Sequence, residues 1–191
     1  MNGDGVINAD DRTYIGSPHP KFVAGLNFSV EYKNFDLNGQ LFGSYGNKMV
    51  NYVRRFIDFA QFNGGRSHDR LYNSWGSPYL SDNTKAKLPI AEGNDSPSQV
   101  PSTAFIEDAS YLRLRNLQIG YNFTKLINRP GINNLRLYIQ ATNLFTITDY
   151  SGLDPEVNVR GTGKDDARNF GVDSGSWPTP RQFMIGLNVG F

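Results

Sequence analysis

From Phe22 to Lys33 the chain alternates without interruption. Phe22, Ala24, Leu26, Phe28, Val30 and Tyr32 fall on one face, and Val23, Gly25, Asn27, Ser29, Glu31 and Lys33 on the other. A period of two residues marks a β-strand with one apolar face. Further segments repeat the pattern, and strands are predicted over 22–33, 35–46, 111–123, 134–145 and 181–191. In the second, Phe35, Leu37, Leu41 and Tyr45 share a face with Gly39 and Gly43, while Phe42 interrupts the polar side. In the third, Leu117, Ile119, Tyr121 and Phe123 oppose Asn116, Gln118, Gly120 and Asn122; in the fourth, Leu135, Leu137, Ile139 and Ala141 oppose Arg136, Tyr138, Gln140 and Thr142. The fifth sets Phe183, Ile185, Leu187, Val189 and Phe191 against Gln182, Gly186, Asn188 and Gly190.

These runs are long. Twelve residues rising about 3.3 Å each and tilted near 45° span roughly 28 Å, the height of a bilayer core, whereas strands of soluble sheets typically run about 5–6 residues. The second face is also distinctive, being Asn, Gln, Ser, Thr and Gly rather than the Lys and Glu of a solvated sheet. The expected fold class is therefore all-β: an antiparallel transmembrane β-barrel segment whose lumen-facing residues include Asn116, Gln118, Asn122, Gln140, Thr142 and Asn188.

The connections alternate in length. Lys33-Asn34 is a tight turn, 47–110 is long, 124–133 is short and 146–180 is long, the short–long rhythm of an outer-membrane barrel with turns in the periplasm and loops outside. By that rule Met1 to Lys21 and both long connections lie outside, and Phe191 ends in the periplasm. Tyr32, Phe35, Tyr121 and Phe123 at the inner ends, with Phe22, Tyr45 and Tyr111 at the outer ends, are placed as interfacial girdles. Within the 47–110 connection, Met49, Val50, Val53, Phe56, Ile57 and Ala60 recur at helical spacing and predict an amphipathic helix over 48–62.

Composition narrows the chemistry. The chain has 191 residues, 13% aromatic and 19% charged, with a formal net charge of +1 and no Cys. A near-neutral balance offers no field for a phosphate backbone, which argues against nucleic acid as a partner. Absence of Cys removes disulfides, thiolate nucleophiles and zinc ribbons together. No apolar run reaches the roughly 18 residues of a spanning helix, and Met-Asn-Gly-Asp-Gly is not a secretory leader.

The leading segment 1–21 overlays a calcium loop from its third position on: Asn2, Asp4, the Val6 carbonyl and Asp11 stand where ligands belong, with Gly5 at the sharp turn and the first ligand lacking. The competing reading is an Asx- and Gly-rich turn; beyond this calcium loop no cofactor is implied. His19 and His68 form no metal pair and no triad, Gly161-Thr162-Gly163-Lys164 lacks the full phosphate-loop pattern, and Glu107, Asp108, Asp165 and Asp166 suggest no paired acid and base. The expectation is not an enzyme. Loop aromatics Phe59, Phe62, Tyr72, Trp75, Tyr79 and Trp177 are candidates for stacking on sugars or peptides, for facing a partner, or for plain loop packing.

Four separated motifs carry a family resemblance. They are Asn2-Gly3-Asp4-Gly5 through Asp11-Arg12 with Ile15-Gly16-Ser17-Pro18 and Pro20-Lys21-Phe22; Ser110-Tyr111-Leu112-Arg113-Leu114-Arg115-Asn116-Leu117 with Gly120-Tyr121; Asn143-Leu144-Phe145 running on to Val157; and Pro180-Arg181-Gln182-Phe183 to Phe191. In order and spacing these resemble the C-terminal portion of SusC/RagA-type TonB-linked outer-membrane transporters of Bacteroidota. The resemblance implies an importer of oligosaccharides or peptides in the cell outer membrane, partnered by a SusD-like surface lipoprotein and, through parts outside this chain, by the TonB complex. It also implies a fragment that does not transport alone, since five strands cannot close a large plugged barrel. Phe183, Ile185, Leu187, Val189 and Phe191 resemble the barrel-assembly signal of a last strand. Arg113 and Arg115, read as sharing the apolar face with Leu117 above the lipid band, are assigned either to lipopolysaccharide phosphates or to Glu107 and Asp108. The alternative to this whole reading is a secreted or surface β-sandwich that binds carbohydrate, in which the long apolar faces pack on each other.

Overall fold

The computed structural model describes residues 4, 8–59, 65–91, 102–127, 131–156 and 170–191. The chain divides into two compact units.

One unit, Pro20–Asn47, Ala109–Glu156 and Trp177–Phe191, is built on five long strands. β1 is Phe22–Tyr32 and β2 is Phe35–Tyr45; β5 is Tyr111–Asn122, β6 is Asn134–Thr148 and β8 is Gln182–Gly190. They form one sheet in the order β1-β2-β5-β6-β8, every pair antiparallel. At 11 residues, β1 tilted as in outer-membrane barrels covers roughly 26 Å of membrane normal. The β1–β2 hairpin closes on Lys33 with φ 57°, the positive-φ backbone conformation that lets a tight two-residue turn match the right-handed twist of its strands.

One face of this sheet is apolar across all five strands. Val30 pairs with Leu37, Leu37 with Ile119, Ile119 with Ile139, and Ile139 with Ile185. These side chains are not covered: Leu26 is 58% and Ile185 76% exposed. The five long strands lie in one sheet rather than in two that face each other, which counts against the sandwich alternative. Among the described residues no helix is long and apolar enough to cross a membrane.

A phase change runs through β5 and β6. Against β2, the register shifts between Gln40 and Leu41, leaving Arg115 without an opposite residue. Against β6, the shift falls between Leu114 and Asn116, opposite Asn143 with φ 51°. One inserted residue exchanges the two faces beyond it. Leu112 and Leu114 therefore join Gly43 and Leu41 on the apolar side, and Arg113 lies with Phe42 and Thr146 on the polar side. This corrects the expectation that Arg113 and Arg115 share the apolar face. The shift also carries β6 past Phe145, its expected end, so that 145–148 pair with 111–114.

The other unit, Met1–His19, Lys48–Asp108 and Val157–Ser176, holds β3 (Lys48–Asn51), β4 (Ile106–Asp108) and β7 (Val172–Asp173) in the order β4-β3-β7, the last pair parallel. Two one-turn helices follow β3: α1, Val53–Ile57, and α2, His68–Tyr72. The expected helix over 48–62 is thus a strand and a single turn. Met49 and Val50 pair with Glu107 and Ile106, and Val50 with Val172, so ladder pairing wins over the helical spacing; 60–62 lie outside the described residues. The core here is small, with Phe59 against Phe105 at 5.4 Å and with Met49 and Leu88 also buried.

Candidate functional site

The polar face of the five-stranded sheet carries the chemistry of its unit. Its rows run across strands as hydrogen-bonded neutral side chains: Ser29 donates to Asn38 (2.7 Å), and Gln118 donates to Gln140 (3.1 Å). Asn116 stands opposite Gln40 and Thr142, and Asn122 in line with Arg136 and Asn188. The six residues assigned to the lumen therefore share this face. Asn116 Oδ1 is buried with no partner.

At the turn end of the face an ion pair crosses a whole strand. Arg136 Nε on β6 donates to Asp36 Oδ1 on β2 at 2.8 Å, and Arg136 also donates to Gln118 Oε1 (2.8 Å). Between them on β5 is Gly120, and a Cβ there would collide with both the Asp36 carboxylate and the Arg136 guanidinium. Glycine is thus the gap that lets the charges meet. The same turn end holds a short helix, α3 (Thr124–Ile127), and an open polar hollow of about 580 Å3 bordered by Glu31, Lys33, Asp36, Lys125 and Arg136.

At the opposite end the charges serve a loop. Arg113 is almost wholly enclosed, its side chain 4% exposed. Its Nε donates to Thr146 (2.9 Å), and its terminal nitrogens donate to Glu156 Oε2 (3.0 Å), Thr179 Oγ1 (3.2 Å) and Asp154 Oδ1. Asp154 Oδ2 in turn accepts from the Thr179 amide (2.9 Å) and hydroxyl (2.8 Å), and Oδ1 from the Glu156 amide (2.9 Å). Burial pushes the Asp154 carboxyl up, but the Thr179 and Glu156 amides and the Arg113 guanidinium outweigh it and hold the group below its ordinary 3.8. Arg115, thrown out by the bulge, reaches the same Glu156 while its guanidinium stacks 3.9 Å from the Phe42 ring. This explains the phenylalanine on a polar face: it is the bed of a cation.

The arrangement fastens 154–156 and 179 to one strand wall. The expected partners of Arg113 and Arg115 are corrected accordingly, because Glu107 and Asp108 take Arg54 (3.6 Å) and Lys48 (2.9 Å) instead. Lipopolysaccharide phosphate is excluded for Arg113 by the same geometry, its charge being enclosed and met by two carboxylates. Sequence reading missed Asp154, Glu156 and Thr179. Their signal was the pair Arg115-Asn116, two polar residues in succession inside an alternating strand, which marks the phase change.

Of the other candidates, Asn2 and Val6 of the calcium loop lie outside the described residues, as do Phe62, Asp165, Asp166 and the Gly161–Lys164 stretch. Asp11 Oδ2 accepts from the Asn8 amide at 3.1 Å. Among the described residues no group of three or more acidic or His side chains is set to hold a metal. Phe59 is buried packing; Tyr72 and Tyr79 are exposed with rings 5.1 Å apart, Trp75 is exposed, and Trp177 is 95% exposed. Phe183, Ile185, Leu187 and Val189 line the apolar side of β8, opposite Ala141, Ile139, Leu137 and Leu135.

A sheet of long antiparallel strands, apolar and uncovered on one side, hydrogen-bonded and polar on the other, defines a segment of a transmembrane β-barrel. No family model matches the chain, but individual relatives do, along its whole length. It is 36% identical to TonB-dependent receptor P3 of Formosa agariphila, covering 100% of the chain and 18% of that protein. It is 31% identical to TonB-dependent receptor SusC of Bacteroides thetaiotaomicron, covering 100% of the chain and 17% of SusC. The fold matches a chain of the RagAB peptide transporter with a TM-score of 0.72 and 26% identity, over 97% of this chain and 19% of that one. The open-open state of the RagAB peptide importer gives 0.70. The chain belongs to the TonB-dependent receptors, of the SusC/RagA type, and spans about a fifth of the length of the relatives it matches.

Proposed function

We propose that these five strands form part of the wall of a TonB-dependent outer-membrane importer of oligosaccharides or peptides. The apolar face meets lipid, the polar face lines the lumen, and the 47–110 and 146–180 connections lie at the cell surface, where a SusD-like lipoprotein would sit. Energy from the TonB complex would enter through parts of the receptor other than this chain. The observation that carries the reading is an uncovered apolar face of bilayer height on a chain alignable end to end with SusC. The relatives bear the name of TonB-dependent receptors, and the structural neighbours that of a peptide importer.

The test is topological. Single cysteines are placed in the receptor at Asn34 and at Ser174, and intact cells are treated with a thiol reagent that does not cross the outer membrane. Ser174→Cys should label in intact cells and Asn34→Cys only after the membrane is opened. Equal labelling at both sites rejects the membrane-spanning wall, and loss of cargo uptake on deleting the receptor gene, scored for glycans and peptides separately, identifies the cargo class.

A further inference from the structure

Toward its turn end the polar face holds one aromatic ring that does not stand upright. Tyr138 on β6 lies opposite Gly120 on one side and Gly186 on the other. A Cβ on Gly186 would run into its Cζ, its hydroxyl and its Cε1, so the far end of the ring leans over β8 and rests on backbone. Gly120 leaves the same row open on the other side, where the Asp36 carboxylate and the Arg136 guanidinium cross it. The ring therefore has one side against the sheet and the other turned away from it, and the residue is half-buried.

The rows on either side share this face, since β6 and β8 keep one register from Asn134 to Thr142. On the outer side stand Gln140 and, opposite it, Met184, which is 48% exposed; on the inner side stand Arg136 and, opposite it, Asn188. The Arg136 guanidinium lies 5.0 Å from the ring centre, and its charge is already met by Asp36 at 2.8 Å. Gln118 donates to Gln140 at 3.1 Å and so holds its amide in place. The result is an apolar spot, a phenol ring beside a thioether, bordered by carboxamides and by one charge pair that is balanced within the wall.

We propose that Tyr138 stacks against one sugar ring of a neutral oligosaccharide in the lumen, with Gln140 and Asn188 taking its hydroxyls. The inference rests on the importer reading above and narrows its cargo. A pyranose carries C–H bonds over its faces, which suit an aromatic plane, and hydroxyls around its rim, each a donor and an acceptor, as a carboxamide is. A charged peptide or an acidic sugar finds no counter-ion here, because Arg136 and Asp36 neutralise each other. The backbone under the ring also fixes its tilt, so little side-chain freedom is lost when a ligand stacks on it.

Cells carrying the receptor are given three pools in turn: oligosaccharides from neutral glucans, mannans, xylans and galactans; oligosaccharides from pectate, whose uronic acids are charged; and tryptic peptides of casein. Uptake that disappears with the receptor gene is followed against concentration. Neutral oligosaccharides are expected to enter, and Tyr138→Ala should raise their half-saturation concentration about tenfold, the order of one aromatic contact, while the maximal rate holds. Tyr138→Phe, which keeps the ring, should recover most of that loss, and Ile139→Leu, next in sequence but on the lipid side, should change neither quantity. Receptor-dependent uptake confined to uronic acids or peptides overturns the proposal. So does an unmoved half-saturation in Tyr138→Ala, including one accompanied by a lower melting temperature, which would mark the ring as packing against another part of the receptor. Should Tyr138→Ala not reach the outer membrane, Gln140→Ala decides, and an unmoved half-saturation there rejects the sugar site. A receptor that imports none of the pools overturns the importer reading and this inference together.

Discussion

Arg113 and Arg136 occupy the same face of the same sheet and use their charge in opposite ways. Arg136 joins strand to strand: it passes over Gly120 to Asp36, and both side chains of the pair are 19% exposed. Arg113 joins strand to loop, enclosed between the Thr146 hydroxyl of β6, two carboxylates that arrive from beyond β6 and the Thr179 hydroxyl from just before β8. A partly wet pair is cheap to form and contributes little when broken. An enclosed one is costly to assemble, and removing either partner leaves an uncompensated charge in the interior. The difference indicates where specificity is held. The ladder and its apolar band align the strands whether or not Asp36 finds Arg136, whereas the path of the chain through 154–156 and 179 depends on Arg113.

The contrast breaks most sharply at Arg113→Met, which should weaken the local structure by about 3–5 kcal/mol. The Glu156 and Thr179 amides should lose hydrogen-exchange protection while Gln118 and Ile139 keep theirs; unchanged protection would show that the cluster is ornamental. Gly120→Val pushes a side chain into the Asp36–Arg136 pair and should cost about 1–3 kcal/mol by overpacking, read as a lower melting temperature in detergent. In an Asp36→Ala background the same substitution should be milder, because the carboxylate is gone and the Arg136 side chain, no longer tied to Asp36 across Gly120, can swing aside.

Acid supplies a smaller probe. The folded-state Asp154 carboxyl is held below 3.8, so the unfolded chain takes up its proton first as pH falls. The stabilisation is whole above 3.8 and is lost as pH drops through the folded value. Exchange protection at Thr179 should fall over that window, and Asp154→Asn should remove the pH dependence there. The smallest effect belongs to Lys33→Gly: relief of a left-handed L-residue is largely offset by the freedom of glycine in the unfolded chain, leaving a gain of at most about 1 kcal/mol in a thermal melt.

Much of the sheet was legible in the sequence. β1, β2, β8 and the inner halves of β5 and β6 follow a single alternating phase from end to end, and a period of two leaves only one way to place the apolar side. The outer halves were not legible by the same rule. Leu112, Leu114 and Leu117 cannot all keep one phase, and the count fails between Arg115 and Asn116, as it fails again at Thr142-Asn143. Each slip is a single residue, small beside the regular run around it, and taking the run as unbroken sends Arg113 to the wrong side. The partners of Arg113 were hidden for another reason: Asp154, Glu156 and Thr179 belong to a connection with no periodicity, so only the need of an enclosed guanidinium for carboxylates points to them. The small sheet of β3, β4 and β7 is made of pieces two to four residues long, too short for any period to register.

Arg115 behaves like an extra letter in a reading frame. Everything on β5 before it is spelled in one phase and everything after it in the other, and the two halves make sense only because the letter is present. Deleting it would leave composition, hydropathy and strand length nearly unchanged, yet would turn Arg113 out toward hydrocarbon and draw Leu112 and Leu114 into the polar interior. A change of one residue would thus amount to a change of solvent for half a strand, and in such a wall an insertion or deletion is a different class of event from any substitution.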